Sequence, residues 1–194
     1  MNEEKLELIE NGMENNEEKF SLKSEILSWI KAIIFAAIFA FILNNFILVN
    51  AKVPSGSMEP TIQVNDRVIA FRFSYIFSEP RRFDIIVFNV AHSYDLYIKR
   101  IIGLPGETVM IHGGFVYIDG VRLINDTFAD ELIFGNAGPF IAGEDQFFVL
   151  GDHRNNSQDS RDWPNTFVEA DDIVGRAAFK YFRGFEIFER KAPN

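Results

Sequence analysis

The sequence predicts a mainly β domain preceded by a single transmembrane α-helix. No residue from Ala32 to Ala51 is charged, and Lys31 and Lys52 flank this run. A helix over residues 32–51 spans about 30 Å, the thickness of one hydrocarbon core. After this run, short segments rich in Val, Ile, Phe and Tyr alternate with Gly, Pro and Asp, a pattern typical of antiparallel β-structure.

The chain therefore divides into three predicted parts. Residues 1–31 form an acidic tail, with eight Glu against four Lys, residues 32–51 the transmembrane helix, and residues 52–194 the β-rich domain. The alternative for the apolar run is a cleavable signal peptide, which needs a short basic start and a small-residue cleavage site. Because a long acidic segment precedes the run, we expect a retained anchor in the plasma membrane.

Lysine placement predicts the orientation of this anchor. Three lysines, at 19, 23 and 31, lie in the fifteen residues before Ala32, whereas Lys52 is the only basic residue in the fifteen after Ala51. Cytoplasmic flanks carry the excess of Lys and Arg. We therefore expect a cytoplasmic N-terminus and an extracytoplasmic β domain.

Composition excludes several functions. The chain has no Cys, which removes disulfides, thiolate metal sites and a Cys nucleophile. Its net charge is −9 without a basic cluster, so nucleic acid is not an expected partner. His92, His112 and His153 are scattered, and zinc needs three or four convergent ligands. We expect no metal, no cofactor and a monomer.

Seven strands are predicted from Val, Ile, Phe and Tyr content. Gly113-Gly114 and Asp119-Gly120 lie between apolar runs and predict hairpin turns. The predicted strands are Arg67–Phe73, Asp84–Asn89, Leu96–Ile101, Glu107–Ile111, Phe115–Ile118, Gln146–Leu150 and Ile173–Phe182.

Three polar constellations carry candidate chemistry. The first is Val53-Pro54-Ser55-Gly56-Ser57-Met58-Glu59-Pro60-Thr61-Ile62. Its prolines and glycine fix a tight path that can hold a hydroxyl and a backbone N–H toward one point, as acyl transfer requires. An ordinary turn favours the same residues and remains the alternative.

The second constellation is Tyr97-Ile98-Lys99-Arg100-Ile101-Ile102-Gly103-Leu104-Pro105-Gly106. A strand lysine usually faces water. If Lys99 points inward instead, burial lowers its pKa and its neutral amine can accept a serine proton. The third constellation is Gly151-Asp152-His153-Arg154-Asn155-Asn156-Ser157-Gln158-Asp159-Ser160-Arg161, for which a surface loop with Asp–Arg pairs is the alternative.

Together these segments resemble the three sequence boxes of bacterial type I signal peptidases, in the same order behind a single membrane span. The resemblance covers residues 32 to about 183. It implies an antiparallel β-sheet peptidase domain and a serine endopeptidase that removes signal peptides from exported preproteins after Ala-x-Ala-like sites. The short interval from Lys99 to Ser157 is similar to that of Gram-positive members.

The resemblance also implies roles for individual residues. Ser57 matches the nucleophile and Lys99 the general base. Ser55, with the Ser57 N–H, matches the oxyanion hole, and Ser157 the hydroxyl that orients the lysine. Further matches are two supporting ion pairs, Asp159 with Arg161 and Asp152 with Arg100, and the substrate-binding positions Val53, Pro54, Met58, Ile62, Tyr97 and Ile98.

Some positions depart from the family pattern or offer rivals. His153, Asn155, Phe83 and the segment 162–165 differ from the residues common in the family. His153 beside Asp152 suggests part of a Ser-His-Asp triad, but adjacent side chains on an extended chain point apart. Lys52 is a rival base, although a lysine at the membrane edge extends toward headgroups.

Two other functions and one surface question stay open at this level. A self-cleaving Ser-Lys repressor peptidase needs a DNA-binding domain, and a catalytically silent peptide-binding scaffold would lack Ser57, Lys99 or Ser157. The stretch Phe71–Phe77 predicts core packing, with a lipid-facing patch as the alternative, and Phe179, Tyr181, Phe182 and Phe185 raise the same question.

Overall fold

The computed structural model describes residues 3–90 and 95–190, with side-chain environments from residue 22 onward. The chain forms two compact units, Met1–Phe46 and Ile47–Asn194. The first unit is helical and the second consists of antiparallel β-strands with short turns. The predicted fold class, one N-terminal helix before a mainly β domain, is therefore confirmed. His92 lies outside the described residues.

The helix α1 (Glu3–Ile42) makes up the first unit, and a π-helical turn at Leu43–Ile47 follows it. Leu22–Ile47 is the one candidate membrane span in the described parts of the chain. Its large apolar side chains are exposed, for example Phe35. An apolar surface of this length is stable when lipid covers it.

The helix ends earlier than the sequence predicts. We expected it to reach Ala51, but residues Leu48–Lys52 form strand β1. This strand pairs along its whole length with the next one, from Leu48 opposite Phe71 to Lys52 opposite Arg67. Leucine, valine and alanine suit a membrane helix and a buried strand equally, so only the pairing partner distinguishes the two.

The second unit contains the strands β1 (Leu48–Lys52), β2 (Arg67–Phe71), β3 (Ile85–Asn89), β4 (Leu96–Gly103), β5 (Thr108–His112), β6 (Phe115–Ile118), β7 (Val121–Arg122), β8 (Ala137–Ile141), β9 (Gln146–Leu150), β10 (Val168–Glu169), β11 (Ile173–Lys180) and β12 (Glu186–Ile187). All seven predicted strands are present: Phe115–Ile118 and Gln146–Leu150 have the predicted bounds, and the other five have one or both ends shifted. β7, β10 and β12 were missed because each has two residues, and β8 because Gly138 and Pro139 disfavour a strand.

The strands form two antiparallel sheets. The larger sheet has the order β1-β2-β11-β3-β4-β9-β10, with β12 paired to β11, and the smaller has the order β7-β6-β5-β8. Both predicted hairpin turns are present. Gly113 and Gly114 have φ of 59° and 88°, a backbone conformation that glycine adopts without a steric penalty.

Strand β4 lies between β3 and β9 near the middle of the large sheet, and four of the five residues in each of these two strands are buried. One core cluster joins Ile102, Phe148 and Leu150 of the large sheet to Val109 and Ile111 of the small one. Burial on both sides fixes the register of β4, because a one-residue slip would move every side chain to the other face.

Candidate active site

The segment 53–62 is held down by its apolar side chains. Val53, Met58 and Ile62 are at most 4% exposed and pack on Val68 and Ile85 of the large sheet. The Glu59 N–H donates to the Gly56 carbonyl at 3.1 Å, which closes the turn that carries Ser57. Ser57 itself stays partly exposed at the top of this anchored turn.

Lys99 points inward and reaches the same turn. It lies in β4, its exposed fraction is 4%, and its Nζ donates a hydrogen bond to Ser57 Oγ at 2.6 Å. The two residues are 42 positions apart in the sequence, so tertiary packing alone brings them together. The alternative of a water-facing strand lysine is therefore wrong for this chain.

Burial changes the acidity of this amine. Removal from water lowers the pKa of Lys99 from its usual 10.5 to about 8, against the opposing fields of Asp159 and Asp152. Arg161 adds a smaller lowering effect. A substantial fraction of Lys99 is then neutral at mildly alkaline pH and able to accept a proton.

Two further serines flank the pair. Ser55 Oγ is exposed and donates to Ser57 Oγ at 3.4 Å, so both hydroxyls face one point. Ser157 Oγ is buried and makes no hydrogen bond to any described residue, Lys99 included. The structure places Ser157 against Gly151, in the loop that lines the site, but without the contact to the lysine amine that the resemblance implies.

Asp159 and Arg161 form one ion pair in the loop after β9. Arg161 Nε donates to Asp159 Oδ1 at 2.7 Å and its Nη2 to Oδ2 at 2.9 Å. Asp159 Oδ2 also accepts from the Gly151 N–H at 3.0 Å, and Arg161 donates to the Arg154 carbonyl at 2.6 Å. The pair therefore cross-links the two ends of this loop.

Arg100 and Asp152 form a second pair, which is almost fully buried. Arg100 Nε and Nη2 donate to the two carboxylate oxygens of Asp152 at 2.7 and 2.6 Å, and Nη1 donates to the Phe83 carbonyl at 2.9 Å. Thr61 donates to Asp152 Oδ2 at 2.5 Å. The guanidinium also lies 3.5 Å from the centre of the Phe128 ring. This bidentate pair ties β4 to the segment 53–62 that carries Ser57 and to the loop after β9.

An open groove of about 780 Å³ runs past Ser57 and Lys99. Of the predicted substrate-binding residues, Val53, Pro54, Met58, Tyr97 and Ile98 line it. Ile62 does not line it, because this side chain is fully buried beneath the turn. The remaining lining residues are Lys52, Ser55, Ser57, Asp95, Leu96, Lys99, Asn155, Asn156, Ser157 and Gln158.

The rival groups lie in other positions. His153 N–H donates to the Ser57 carbonyl at 3.2 Å, but the His153 imidazole faces Glu59 and Glu131 at 3.8 and 3.9 Å. This places its imidazole away from a base role toward Ser57 Oγ. Lys52 is exposed at the groove rim. Among the described residues, no three His, Asp or Glu side chains are arranged to hold a metal ion.

Sequence reasoning gave no role to Thr61, Gly151 or the pair of Arg154 with Asp126. Thr61 lies inside the first box, so its position next to the nucleophile was an available signal. Arg154 donates to both carboxylate oxygens of Asp126, at 2.6 and 2.5 Å, and Asp126 belongs to a segment without any recognisable motif. Only the folded chain brings these groups to the site.

Comparisons with known proteins identify a matching family, related sequences and a related crystal structure. The family model described as signal peptidase, peptidase S26, matches residues 26–182. The probable signal peptidase I-2 of Synechocystis sp. is 39% identical over 158 residues, covering 78% of this chain and 71% of the relative. The signal peptidase I of Bacillus amyloliquefaciens is 34% identical over 188 residues, covering 92% and 100%. A crystal structure of a signal peptidase I from Enterococcus faecalis is 35% identical, with a TM-score of 0.44 and coverage of 51% of this chain and 97% of that one.

Proposed function

The chain belongs to the signal peptidase family, and on this premise we propose that Ser57 and Lys99 form its catalytic dyad. The chain is a serine endopeptidase of the signal peptidase I type. The observation that carries the dyad is the 2.6 Å contact between the buried Lys99 amine and Ser57 Oγ. No other basic side chain of the described residues donates to this hydroxyl.

In the first step the neutral Lys99 amine takes the proton of the Ser57 hydroxyl. Ser57 Oγ attacks the carbonyl carbon of the scissile peptide bond and forms a tetrahedral intermediate with a negatively charged oxygen. The Ser55 hydroxyl and the Ser57 N–H stabilise this oxygen. The 3.4 Å separation of the two serine hydroxyl oxygens supports a role for Ser55 at that position.

In the second step the Lys99 ammonium donates its proton to the leaving nitrogen, and the peptide bond breaks. The signal peptide remains as an ester on Ser57. Lys99, neutral again, accepts a proton from water, which attacks the ester; the Lys99 ammonium then gives this proton to the departing Ser57 Oγ, and the signal peptide leaves with a free carboxyl group. Ser57 and Lys99 return to their starting protonation states, as histidine does in serine triads.

The supporting residues hold this geometry. The pair of Arg100 with Asp152 fixes β4 against the nucleophile turn, and the pair of Asp159 with Arg161 braces the loop that carries Ser157. Ser157 Oγ, buried without a partner among the described residues, is available to receive the Lys99 amine when substrate displaces it from Ser57. We therefore propose that Ser157 orients the Lys99 amine in the complex with substrate.

Substrates are exported preproteins with signal peptides, and we propose cleavage after Ala-x-Ala-like sites. An extended chain in the groove alternates its side chains, so two of them point toward the wall formed by Val53, Met58 and Ile98. These apolar side chains belong to one core cluster or pack against it, and we propose that they leave only shallow space beside Ser57. Shallow apolar pockets favour alanine over larger or charged side chains.

The helical residues from 32 to 47 are proposed to anchor the protein in the plasma membrane, with residues 1–31 cytoplasmic and the β unit, strand β1 included, extracytoplasmic. The candidate span Leu22–Ile47 and the lysine asymmetry support this. Protease added to intact spheroplasts should degrade the β unit and leave a short N-terminal fragment. Protection of the β unit would reverse the orientation.

Exposed aromatic residues support contact between the β unit and lipid. Phe73, Ile76 and Phe77 are 45%, 58% and 94% exposed, so the core packing expected for the stretch Phe71–Phe77 is wrong for these three. Leu48, the first residue after the candidate span, pairs with Phe71 directly before them. They therefore follow the end of β2 that pairs with the first residue of β1. Tyr181, Phe182 and Phe185 are also exposed.

Substitution of the nucleophile tests the proposal. Ser57→Ala, purified as the full chain in detergent, should fold normally but lose cleavage of an Ala-x-Ala preprotein on the order of 10⁶-fold. Ser78→Ala is the control, because its hydroxyl bonds only to the nearby Ser74 carbonyl at 2.6 Å. Cleavage by the Ser57→Ala variant at the rate of the control would overturn the dyad.

A further inference from the structure

An aromatic cluster lies against the strand that carries the base. Trp163 packs edge-on against Tyr97, with ring centroids 6.3 Å apart and planes at 83°, and lies 5.9 Å from Phe88. Phe88 and Tyr97 face each other across β3 and β4 at 6.3 Å. Trp163 belongs to the segment 162–165, where the sequence departs from the common pattern of the family.

Tyr97 and Lys99 share one face of β4, since they are two residues apart in a strand of continuous register. The other neighbours of Lys99 on this face are Ile101 beside it and Ile86 opposite it, and both are fully buried. Tyr97 is 38% exposed and lines the groove. Lys99 lines the same groove, so Tyr97 borders one side of the solvent-accessible space beside the Lys99 side chain.

We propose that Trp163 is a positioning residue for the reaction: its ring holds Tyr97 next to Lys99 on β4 and so limits the water that reaches the Lys99 side chain from that side of the groove. The inference rests on the proposed role of Lys99 as base. Trp163 does not touch the reacting atoms and acts through Tyr97. The position of Trp163 is fixed by the contacts of its ring and by its backbone N–H, which donates to the Asp159 carbonyl at 3.2 Å.

The physical consequence is a change in the desolvation of Lys99. Burial is the main cause that lowers its pKa to about 8, so water admitted beside Tyr97 raises the pKa toward 10.5. The charged groups that act on Lys99 are Asp159, Asp152 and Arg161, all in the loop after β9, and Asp95 also lines the groove. Truncation of Trp163 leaves these charges and the backbone bond to Asp159 in place.

The test is the pH dependence of kcat/KM for an Ala-x-Ala peptide, measured from pH 6 to 10.5 on the full chain in detergent. In Trp163→Ala, the midpoint of the rise in kcat/KM with pH should increase by about one pH unit, a shift of the size expected when a buried amine gains contact with water. Trp163→Phe should keep the wild-type midpoint, because a smaller ring still packs on Tyr97. Phe167→Ala is the matched control: it truncates an aromatic residue four positions after Trp163 whose ring packs on Phe148 instead.

A double-variant cycle with Tyr97→Ala tests whether the effect passes through Tyr97. The shift of the double variant should equal that of Tyr97→Ala alone, since contacting residues are not additive. Trp163→Leu replaces Trp163→Ala if the alanine variant does not fold, and a smaller upward shift is then expected.

The outcomes separate the two proposals. If kcat/KM of the wild type rises with a midpoint near pH 8, and this midpoint is unchanged in Trp163→Ala and Trp163→Leu, the role of Trp163 is overturned and the dyad stays intact. Equal shifts in Phe167→Ala and Trp163→Ala also overturn it, because the effect is then one of general packing. A wild-type enzyme without any limb near pH 8 contradicts the role of Lys99 itself.

Discussion

Gly151 packs so closely against Ser57 that no side chain fits between them. A Cβ at position 151 would collide with the Ser57 carbonyl oxygen and with the Ser157 hydroxyl. Two residues later, the His153 N–H donates to the same Ser57 carbonyl at 3.2 Å. The loop after β9 is therefore built directly onto the nucleophile turn, and the position of Ser57 depends on both.

Gly151→Ala should consequently misplace the nucleophile. Either the Ser57 carbonyl or Ser157 must move, and a displacement of about 1 Å at a reacting group costs on the order of 10²-fold in rate. We expect a loss of this size in kcat, together with a lower melting temperature of the variant. Gly143→Ala is the control, because its Cβ would meet the flexible end of Gln146 at 3.0 Å. Wild-type kcat in Gly151→Ala would show that the close contact is not needed.

The acidity of Lys99 predicts the pH profile. Activity should rise through one ionisation near pH 8, the pKa that burial gives this amine. At pH 7 about one-tenth of such an amine is neutral, whereas an unperturbed lysine is almost wholly charged. The limb is measured as kcat/KM of a signal-peptide substrate against pH.

Two variants distinguish lysine from histidine as the base. Lys99→Arg should be inactive from pH 6 to 10, because guanidinium does not deprotonate in this range. His153→Ala should keep the alkaline limb, since its imidazole faces Glu59 and Glu131. An active Lys99→Arg enzyme, or loss of the limb in His153→Ala, would assign the base to another residue.

The same shift has a consequence for stability, with a definite sign. The folded protein binds the Lys99 proton more weakly than the unfolded chain does, with a pKa of about 8 against 10.5. Burial of the ammonium therefore costs stability below about pH 8, and this cost disappears as the pH rises toward 10.5. On the proposed mechanism, a lysine that can act as a base near neutral pH therefore comes with a loss of stability.

The buried pair of Arg100 and Asp152 should be costly to break. Asp152→Asn keeps the side-chain volume but leaves the Arg100 charge unpaired at 3% exposure. We expect a loss of about 3–5 kcal/mol in the free energy of unfolding. Urea unfolding of the full chain in detergent, followed by near-ultraviolet circular dichroism, measures it. Asp171→Asn, at an exposed position, is the control, and an equal effect of both variants would contradict this account.

The proposed lipid contact can be tested with single labels, since the chain contains no Cys. Phe77→Cys carries the label in the exposed stretch, and Val121→Cys carries it at the edge of the small sheet, 71% exposed. With an environment-sensitive fluorophore in vesicles, brominated lipid should quench the label at position 77 and leave that at 121 unquenched. Equal quenching at both positions would contradict the proposed contact between the exposed aromatic residues and lipid.

The sequence by itself determined the class of fold and the candidate chemistry. Apolar runs separated by Gly-Gly and Asp-Gly are a local signal, and such signals located the seven principal strands and the two hairpins between β5, β6 and β7. The three polar boxes are also local, so Ser57, Lys99 and Asp152 were identified without any coordinates. The existence of the apolar N-terminal helix followed from composition, although its end did not.

Tertiary structure decided everything that depends on partners distant in sequence. Leu48–Ala51 is a strand because β2 lies beside it, although its residues suit a helix equally. Ile98 and Ile101 are both apolar although they lie on opposite faces of β4, so alternation does not reveal which way Lys99 points. The pairing of β4 with β3 and β9, together with the anchored turn at Ser57, decides that direction. Burial then sets the pKa of Lys99, and burial is a property of the assembled fold rather than of any segment of the chain.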